Sequence, residues 1–456
     1  MRTPRPSLPA LLLLGVCLGG SPTHAQSPAE VAREFREQNE ARILQDFVEL
    51  LSYPNVASDL EGIRRNADYI VGELEGVGID AELLEVGDAP PIVYGELLVP
   101  GATRTLGIYV HYDGQPADPA NWTHSPWDPT LYSASMEAEG EPIPLPAVGE
   151  AVDPEWRLYA RSAGDDKAPI AAIVPVLEAF RAQGITPTSN LIFFFDGEEE
   201  AGSPNLREYL ETYRDRLDDI DVWLFFDGPV HQSGSPLLTF GVRGVTGLEV
   251  TVYGATRSLH SGHYGNWAPN PIVLLTDLVR SMRDGTGQVF VEGFYDQVRP
   301  LTPEEHAAVA ASPRVDDDLV AELGIARPET EDRIEMAVLR PGMNLRGIQS
   351  GGVGAHSRNA IQPSATASIG LRLVPDQTPA HLRQAIETHI RKQGFQLIDG
   401  EPTAHDREGH QHLARLEWSK CGGYPAYRAP MEPPLAVRVS RLLNDLNEGE
   451  LILTPT

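Results

Sequence analysis

Cysteine is scarce in this chain. Only Cys17 and Cys421 occur among 456 residues, and the first lies in a segment that we expect to be removed. A single remaining thiol cannot form an intrachain disulfide, so the fold must be stabilised by its hydrophobic core. The 41% hydrophobic and 22% charged residues are typical of a globular protein, and the length allows two or three domains.

Basic residues and long apolar runs are also few. The chain has 36 Lys and Arg against 65 Asp and Glu, a formal net charge of -29. Such a surface repels phosphate, which argues against nucleic acid and against anionic membranes as partners. The apolar run at 8–18 is too short to span a bilayer, so we expect no stable membrane insertion.

Residues 1–25 have the pattern of a secretory signal peptide. Arg2 and Arg5 precede the apolar run, and small and polar residues follow it as far as Ala25. We therefore expect cleavage after Ala25 and an exported protein, periplasmic or extracellular.

An apolar strand that ends in carboxylates is the feature around which the chain is organised. Residues 191–195 form a short apolar run that predicts a central strand of a parallel or mixed sheet. Asp196, Glu198, Glu199 and Glu200 follow it directly. Ligands bind beyond the carboxyl ends of strands in open α/β sheets, and carboxylates crowded there repel one another unless a cation is present. An isolated Glu-Glu-Glu is more often a solvated turn, so the other segments decide the interpretation.

Three other segments bring ligand-type side chains to the ends of predicted strands or loops. His111 and Asp113 share one side of a strand end, and a carboxylate beside an imidazole can fix the ring tautomer of a metal ligand. Asp165 precedes an apolar helix, where it could also be a helix cap. Asp227 follows a further strand. We expect one sheet rim to carry His111, Asp165, Glu199, Glu200 and Asp227.

These segments resemble, in order, the motifs of the carnosinase, cytosolic dipeptidase and carboxypeptidase G family of co-catalytic zinc exopeptidases. The matching stretches are His111-Tyr-Asp-Gly, Arg161-Ser-Ala-Gly-Asp-Asp-Lys167, Asp196-Gly-Glu-Glu-Glu-Ala-Gly-Ser203, Asp227, Leu259-His-Ser-Gly262 and Leu371-Arg-Leu-Val-Pro375. The resemblance implies an α/β fold, with a mixed-sheet zinc-peptidase catalytic domain and an inserted α+β lid domain. It also implies a homodimer that forms through the lid.

The resemblance implies a set of metal ligands. His111 and Asp227 would hold one zinc, and Asp165 would bridge it to a second zinc served by Glu200. Imidazole and carboxylate donors suit Zn²⁺. Two Zn²⁺ per subunit are expected in the complete family site, and about one tightly bound Zn²⁺ in this chain, with Mn²⁺ or Co²⁺ as alternatives. The family also has a cis peptide after the bridging aspartate, here between Asp165 and Asp166.

Catalytic and substrate-binding roles follow from the same resemblance. Glu199 would be the general base, and Asp113 would orient the metal-ligating histidine. His260 would stabilise the oxyanion in a neighbouring subunit's site, although a capped loop histidine is an equal alternative. Arg372 would bind the substrate carboxylate, with Asn359 as a helper.

The domain boundaries follow from strand and helix patterns. We expect a signal peptide at 1–25, catalytic segments at 26–236 and 428–456, and a lid at 237–427. Lid helices are predicted near 270–282 and 378–392, and lid strands near 345–350 and 365–374. Residues 293–337 show no strong periodic pattern.

The predicted reaction is hydrolysis of an amide bond in dipeptides or short peptides with a free C-terminal carboxylate. An N-acyl amino-acid deacylase would share every metal ligand and stays open. So does a catalytically incompetent zinc-binding or dimerising protein, because the family's Gly-Gly-Ser-like loop and final histidine ligand are not found before Thr456. The sequence is expected to be a truncated copy, with His356 as a substitute ligand to test.

Overall fold

The structure is a computed structural model that describes residues 26–228, 230–419 and 422–456. It contains two compact units, one ending at Asp227 and one beginning at Gly228. The α/β fold class expected from the sequence is confirmed, and both units contain a mixed sheet.

The first unit contains five α-helices and seven strands among its described residues. Its helices are α1 (Pro28–Ser52), α2 (Leu60–Gly76), α3 (Ala168–Ala182), α4 (Leu206–Thr212) and α5 (Arg214–Leu217). Its strands are β1 (Asp80–Leu84), β2 (Ile92–Leu97), β3 (Thr105–His111), β4 (Thr130–Tyr132), β5 (Arg157–Tyr159), β6 (Asn190–Asp196) and β7 (Val222–Phe225).

The main sheet of this unit has the strand order β1-β2-β6-β3-β7. β2 runs antiparallel to β1 and β6, whereas β3 runs parallel to β6 and β7. The sheet is therefore mixed, and the three parallel strands point their carboxyl ends toward the same edge.

Both faces of this sheet are covered, which explains the unbroken apolar run in β6. Phe193 and Phe195 pack on one side with apolar residues of α1, α2 and α3. Ile192 and Phe194 face the other side, where Tyr209 of α4 joins the core. A strand buried on both faces has no solvent side, so its sequence does not alternate between polar and apolar residues.

The second unit contains eight α-helices and eleven strands among its described residues. Its helices are α6 (Ser261–Tyr264), α7 (Pro271–Met282), α8 (Pro303–Ala311), α9 (Asp316–Glu322), α10 (Ile334–Ala337), α11 (Pro379–Lys392), α12 (Ala404–Gly409) and α13 (Pro434–Leu446). Its strands are β8 (Leu237–Thr239), β9 (Gly241–Val242), β10 (Gly244–Tyr253), β11 (Leu259–His260), β12 (Gly342–Gln349), β13 (Ala360–Ile361), β14 (Ser364–Leu373), β15 (Phe395–Leu397), β16 (His412–Trp418), β17 (Tyr427–Arg428) and β18 (Ile452–Thr454).

The larger sheet of this unit has the order β12-β14-β10-β16-β15, antiparallel except for the parallel pair β15 and β16. One face packs against α7 and α11 in a single apolar core. Burial in β14 alternates residue by residue, as expected for a sheet with one covered face.

The C-terminal segment lies in the second unit. β18 pairs in parallel with β8, and β17 pairs with β9. The observed division at Asp227 thus precedes the expected boundary at 236, and residues 428–456 group with the segment expected to form the lid. Their assignment to a catalytic domain stays a prediction.

Candidate metal centre

The parallel pairing of β3, β6 and β7 brings three distant segments to one edge of the sheet. His111 at the end of β3 is opposite Asp196 at the end of β6, and Tyr109 is opposite Phe225 of β7. Asp227 follows β7 by two residues. Side chains that are far apart in sequence therefore meet beyond the same strand ends.

Three of the four predicted metal ligands form one group. One potential ligand atom from each of His111, Asp165 and Asp227 lies within 4.8 Å of the others. His111 Nε2 is 2.8 Å from Asp165 Oδ1, and the imidazole is buried while the Asp165 side chain is 71% exposed. One imidazole nitrogen and two carboxylates are a fitting donor set for Zn²⁺, and the exposed carboxylates give an ion access.

Asp113 connects the imidazole to the acidic turn after β6. Its buried carboxylate lies 3.3 Å from His111 Nδ1, outside hydrogen-bond geometry, so its negative charge faces this side of the ring without a directed bond. The same carboxylate accepts the backbone N–H groups of Glu199, at 3.0 Å, and Glu200, at 3.1 Å. A single buried side chain thus sets the position of the histidine relative to both glutamates.

Glu199 is placed at the group but keeps access to solvent. Its carboxylate is 3.9 Å from His111 Nε2, and its side chain is 39% exposed. Burial raises the pKa of Glu199, and the charges of Asp227, Glu200 and Asp113 add to this against the opposing charge of His111, so the pKa reaches about 7. A carboxyl group with such a pKa can exchange protons at neutral pH.

Glu200 is not part of the three-residue group. Its carboxylate accepts a hydrogen bond from Gln115 Nε2 at 2.7 Å, and the same amide lies 3.3 Å from the Glu200 carbonyl oxygen. Gln115 was not identified from the sequence, although it immediately follows the His111-Tyr-Asp-Gly motif.

The other two carboxylates of the acidic stretch have structural partners. Asp196 accepts the hydroxyl of Ser203 at 2.7 Å, and Glu198 accepts the backbone and side-chain N–H groups of Asn205 at 2.8 and 2.9 Å. Both carboxylates are buried. The acidic stretch therefore contains two carboxylates that hold the turn, and two further residues, Glu199 and Glu200, whose backbone N–H groups are bound by Asp113.

The segment that carries Asp165 is anchored by its two following residues. The peptide between Asp165 and Asp166 is cis, as the resemblance implied. Asp166 is buried and accepts the backbone N–H of His111 at 3.3 Å. The fully buried Lys167 ammonium donates to the Leu50 carbonyl at 2.9 Å.

The three predicted substrate-binding residues lie in the second unit. His260 Nδ1 accepts the Gly262 N–H at 3.1 Å, which is the capped arrangement considered as an alternative for this histidine. The Asn359 carbonyl accepts the Ser261 N–H at 3.1 Å, so Asn359 and His260 are neighbours. Arg372 is an exposed residue of β14. Their functional roles stay predictions.

Comparison with known proteins adds to this geometry. A family model described as a peptidase dimerisation domain matches residues 240–397. A Cys-Gly metallodipeptidase from Candida albicans is 27% identical over 397 residues, which are 81% of this chain and 76% of the relative. A human Beta-Ala-His dipeptidase is 29% identical over 309 residues, 66% of this chain and 56% of the relative.

A solved structure is similar over most of the chain. The M20 family metallo-carboxypeptidase Sso-CP2 from Sulfolobus solfataricus has a TM-score of 0.70 and 26% identity, covering 91% of this chain and 85% of that one. The chain is therefore similar to M20 metallopeptidases over most of its length. This confirms the family that the motifs predicted and makes the protein a peptidase.

The expected export is wrong. The yeast Cys-Gly metallodipeptidases to which this chain is similar are cytosolic, and this overturns its assignment to the periplasm or the cell exterior. Residues 1–25, on which that expectation rested, lie outside the described residues. Within residues 26–228, 230–419 and 422–456, no helix has the length and apolar character needed to cross a membrane.

Proposed function

We propose that this M20 peptidase uses zinc to hydrolyse the amide bond of dipeptides or short peptides that have a free C-terminal carboxylate. The observation that carries the proposal is the group of His111, Asp165 and Asp227 beside the half-exposed carboxylate of Glu199. The dipeptidase names of the relatives support the substrate class.

The metal-binding residues in this proposal are His111, Asp165 and Asp227. Three protein ligands with a further open position are typical of catalytic zinc sites. When bound, zinc would polarise the scissile carbonyl and make water a stronger acid. Glu200 lies outside the group and would serve a second ion, and Mn²⁺ or Co²⁺ are alternatives to zinc.

Glu199 is the proposed general base. Its exposed fraction leaves the carboxylate open to water and substrate, and its raised pKa matches a group that accepts a proton and later returns it to the leaving amine. Asp113 holds the backbone of Glu199 and faces His111, so it fixes the distance between the proton acceptor and the metal ligand.

Arg372 is the proposed partner of the substrate carboxylate, with His260 and Asn359 as further substrate contacts. A guanidinium can make two parallel hydrogen bonds to a carboxylate, which a C-terminal amide cannot accept equally well. The proposed assembly is a homodimer, in which two chains associate through their dimerisation domains.

Mass-spectrometric turnover with Cys-Gly, β-Ala-His, their C-terminal amides and an N-acyl amino acid tests the proposal. Zinc-loaded protein should cleave the free dipeptides fastest. Arg372→Met should slow the free acids far more than the amides, while Arg391→Met, on an exposed face of α11, should leave both unchanged. Preferential cleavage of the N-acyl amino acid would instead assign a deacylase, and equal cleavage of acids and amides would exclude carboxylate recognition.

A further inference from the structure

A single buried amide, that of Asn55, lies between the segments that carry the candidate ligands. Asn55 follows α1 in the loop before α2, far in sequence from every metal-ligand motif, and it is 0% exposed. A fully buried amide is stable only when its donors and acceptor find partners.

All the polar groups of the Asn55 side chain are bonded. Its Nδ2 donates to the Tyr112 carbonyl at 2.8 Å and to Ser162 Oγ at 2.8 Å. Its Oδ1 accepts the indole N–H of Trp127 at 3.1 Å. Its backbone carbonyl also accepts the Gly114 N–H at 2.9 Å. An amide side chain can donate twice and accept at the same time, which neither Asp nor Leu can do.

These bonds hold the peptide of Asp113 from both sides. The carbonyl of Tyr112, the residue before Asp113, accepts from Asn55 Nδ2, and the N–H of Gly114, the residue after it, donates to the Asn55 carbonyl. Since the Asp113 carboxylate faces His111 and accepts two N–H groups of the acidic turn, a rotation of this peptide would move all three partners.

The same amide reaches the segment of Asp165. Ser162 Oγ accepts from Asn55 and lies 3.3 Å from the Asp113 carbonyl, while the Ser162 carbonyl accepts the Lys167 N–H at 3.1 Å and closes the turn that contains Asp165. Gly114 packs so closely on this contact that a Cβ there would overlap Ser162 Oγ. The two ligand-bearing segments therefore meet at Asn55.

We propose that Asn55 is a positioning residue of the metal centre, which sets the segment of His111 and Asp113 against the segment of Asp165. The inference rests on the proposed metal site. The inference goes beyond that site because it makes the affinity of the centre for metal depend on Asn55. This residue contacts neither the side chains of the metal ligands nor the reacting groups.

The test is Co²⁺ titration of the full chain, followed by visible absorption and by zinc competition. Asn55→Leu should weaken Co²⁺ binding about 10–100-fold, the usual cost of losing a partner that orients a ligand, and should change the absorption band of the bound ion. Ser162→Ala should give a smaller loss of the same kind. Trp127→Phe breaks a bond of the same amide to a segment without a predicted ligand, so it should leave the affinity and the band nearly unchanged.

Gln377→Leu in the second unit is the matched control. Gln377 is also a buried amide whose two polar groups are bonded. Its Nε2 donates to the Phe294 carbonyl at 2.6 Å, and its Oε1 accepts the Val374 N–H at 3.2 Å. Its loss should lower the melting temperature without changing Co²⁺ binding. If Asn55→Leu does not fold, the Co²⁺ affinity and absorption band of Ser162→Ala decide whether the inference holds. Wild-type affinity and spectrum in the folded variant would overturn the inference, whereas no Co²⁺ binding by the unsubstituted chain would instead overturn the metal site.

Discussion

The two units bury their polar residues in different ways. In the first unit most of the buried polar side chains belong to the strand ends and loops around the candidate centre, and they include His111, Asp113, Asp166 and Lys167. In the second unit they are scattered, as with Glu305 of α8 paired to Arg428 of β17. Buried charge therefore clusters around the candidate centre in the first unit, whereas in the second unit it joins separate elements.

The sheets show the same difference. β6 is buried on both faces and ends in four carboxylates, whereas β14 alternates and presents one face outward. A sheet covered on both faces leaves its strand ends as the place where polar side chains can meet solvent. This is the physical reason why ligand sites in such sheets lie beyond the strand ends.

The substitution with the largest expected effect is Glu199→Gln. Removing the proton acceptor while leaving the three-residue ligand group intact should lower kcat about 10²–10⁴-fold and leave zinc content and melting temperature unchanged. Glu208→Gln, an exposed residue of α4, is the control. Near wild-type turnover in Glu199→Gln would remove Glu199 from the reaction.

Glu305→Gln applies the same chemical change to the second unit. Glu305 and Arg428 are both buried, with Arg428 Nε 2.7 Å from the carboxylate. Breaking a buried ion pair leaves one charge without compensation, so the free energy of unfolding should fall by about 3 kcal/mol. Urea unfolding measures this. Turnover per folded molecule should persist, and a loss of turnover at unchanged stability would contradict the contrast between the units.

Asp113→Asn should weaken zinc binding about 10–100-fold, because a neutral amide no longer attracts the imidazole and cannot accept both backbone N–H groups. Isothermal titration with zinc gives the affinity. Asp196→Asn, a buried carboxylate on the other side of the same turn, should reduce stability more than affinity. If Asp196→Asn weakened zinc binding more than Asp113→Asn does, the distinction between carboxylates that hold the turn and carboxylates that serve the centre would be wrong.

A smaller effect is expected from His389 in the core face of α11. Burial lowers the pKa of this imidazole, with a contribution from Lys392, so the folded state binds its proton less readily than the unfolded state. The contribution of His389 to the free energy of unfolding is therefore fully present above the pKa of the unfolded state. It is lost as the pH falls below about 6.5, because protonation then favours the unfolded state. The melting temperature should therefore drop from pH 7 to pH 5, and less so in His389→Gln. An identical drop in both proteins would exclude His389 as the cause.

Much of the architecture could be predicted because its signals are local. The apolar run of β6, the one-sided pattern of β14 and the helices after Asn270 and Thr378 are each visible in short windows, and the structure contains them. In the patternless 293–337, the structure has α8, whose capping box of Thr302 and Glu305 was a detectable start signal.

The candidate site was predictable only in part. His111, Asp165 and Asp227 each lie in a stretch that resembles the family, and the structure places them together. Their roles stay predictions. The contacts of Gln115 and Asn55, and the binding of the Glu199 and Glu200 backbone by Asp113, depend on hydrogen bonds between distant segments. No local pattern contains such bonds, because they exist only after the sheet has aligned its strand ends.

The most direct test of the central claim is the zinc content of the purified full chain, measured by elemental analysis after dialysis against trace zinc. Because one three-residue group is present among the described residues, we expect about one tightly held zinc per chain. Asp165→Ala should lose it, whereas Asp196→Asn should keep it. Zinc retained at full occupancy in Asp165→Ala would show that His111, Asp165 and Asp227 are not the metal centre.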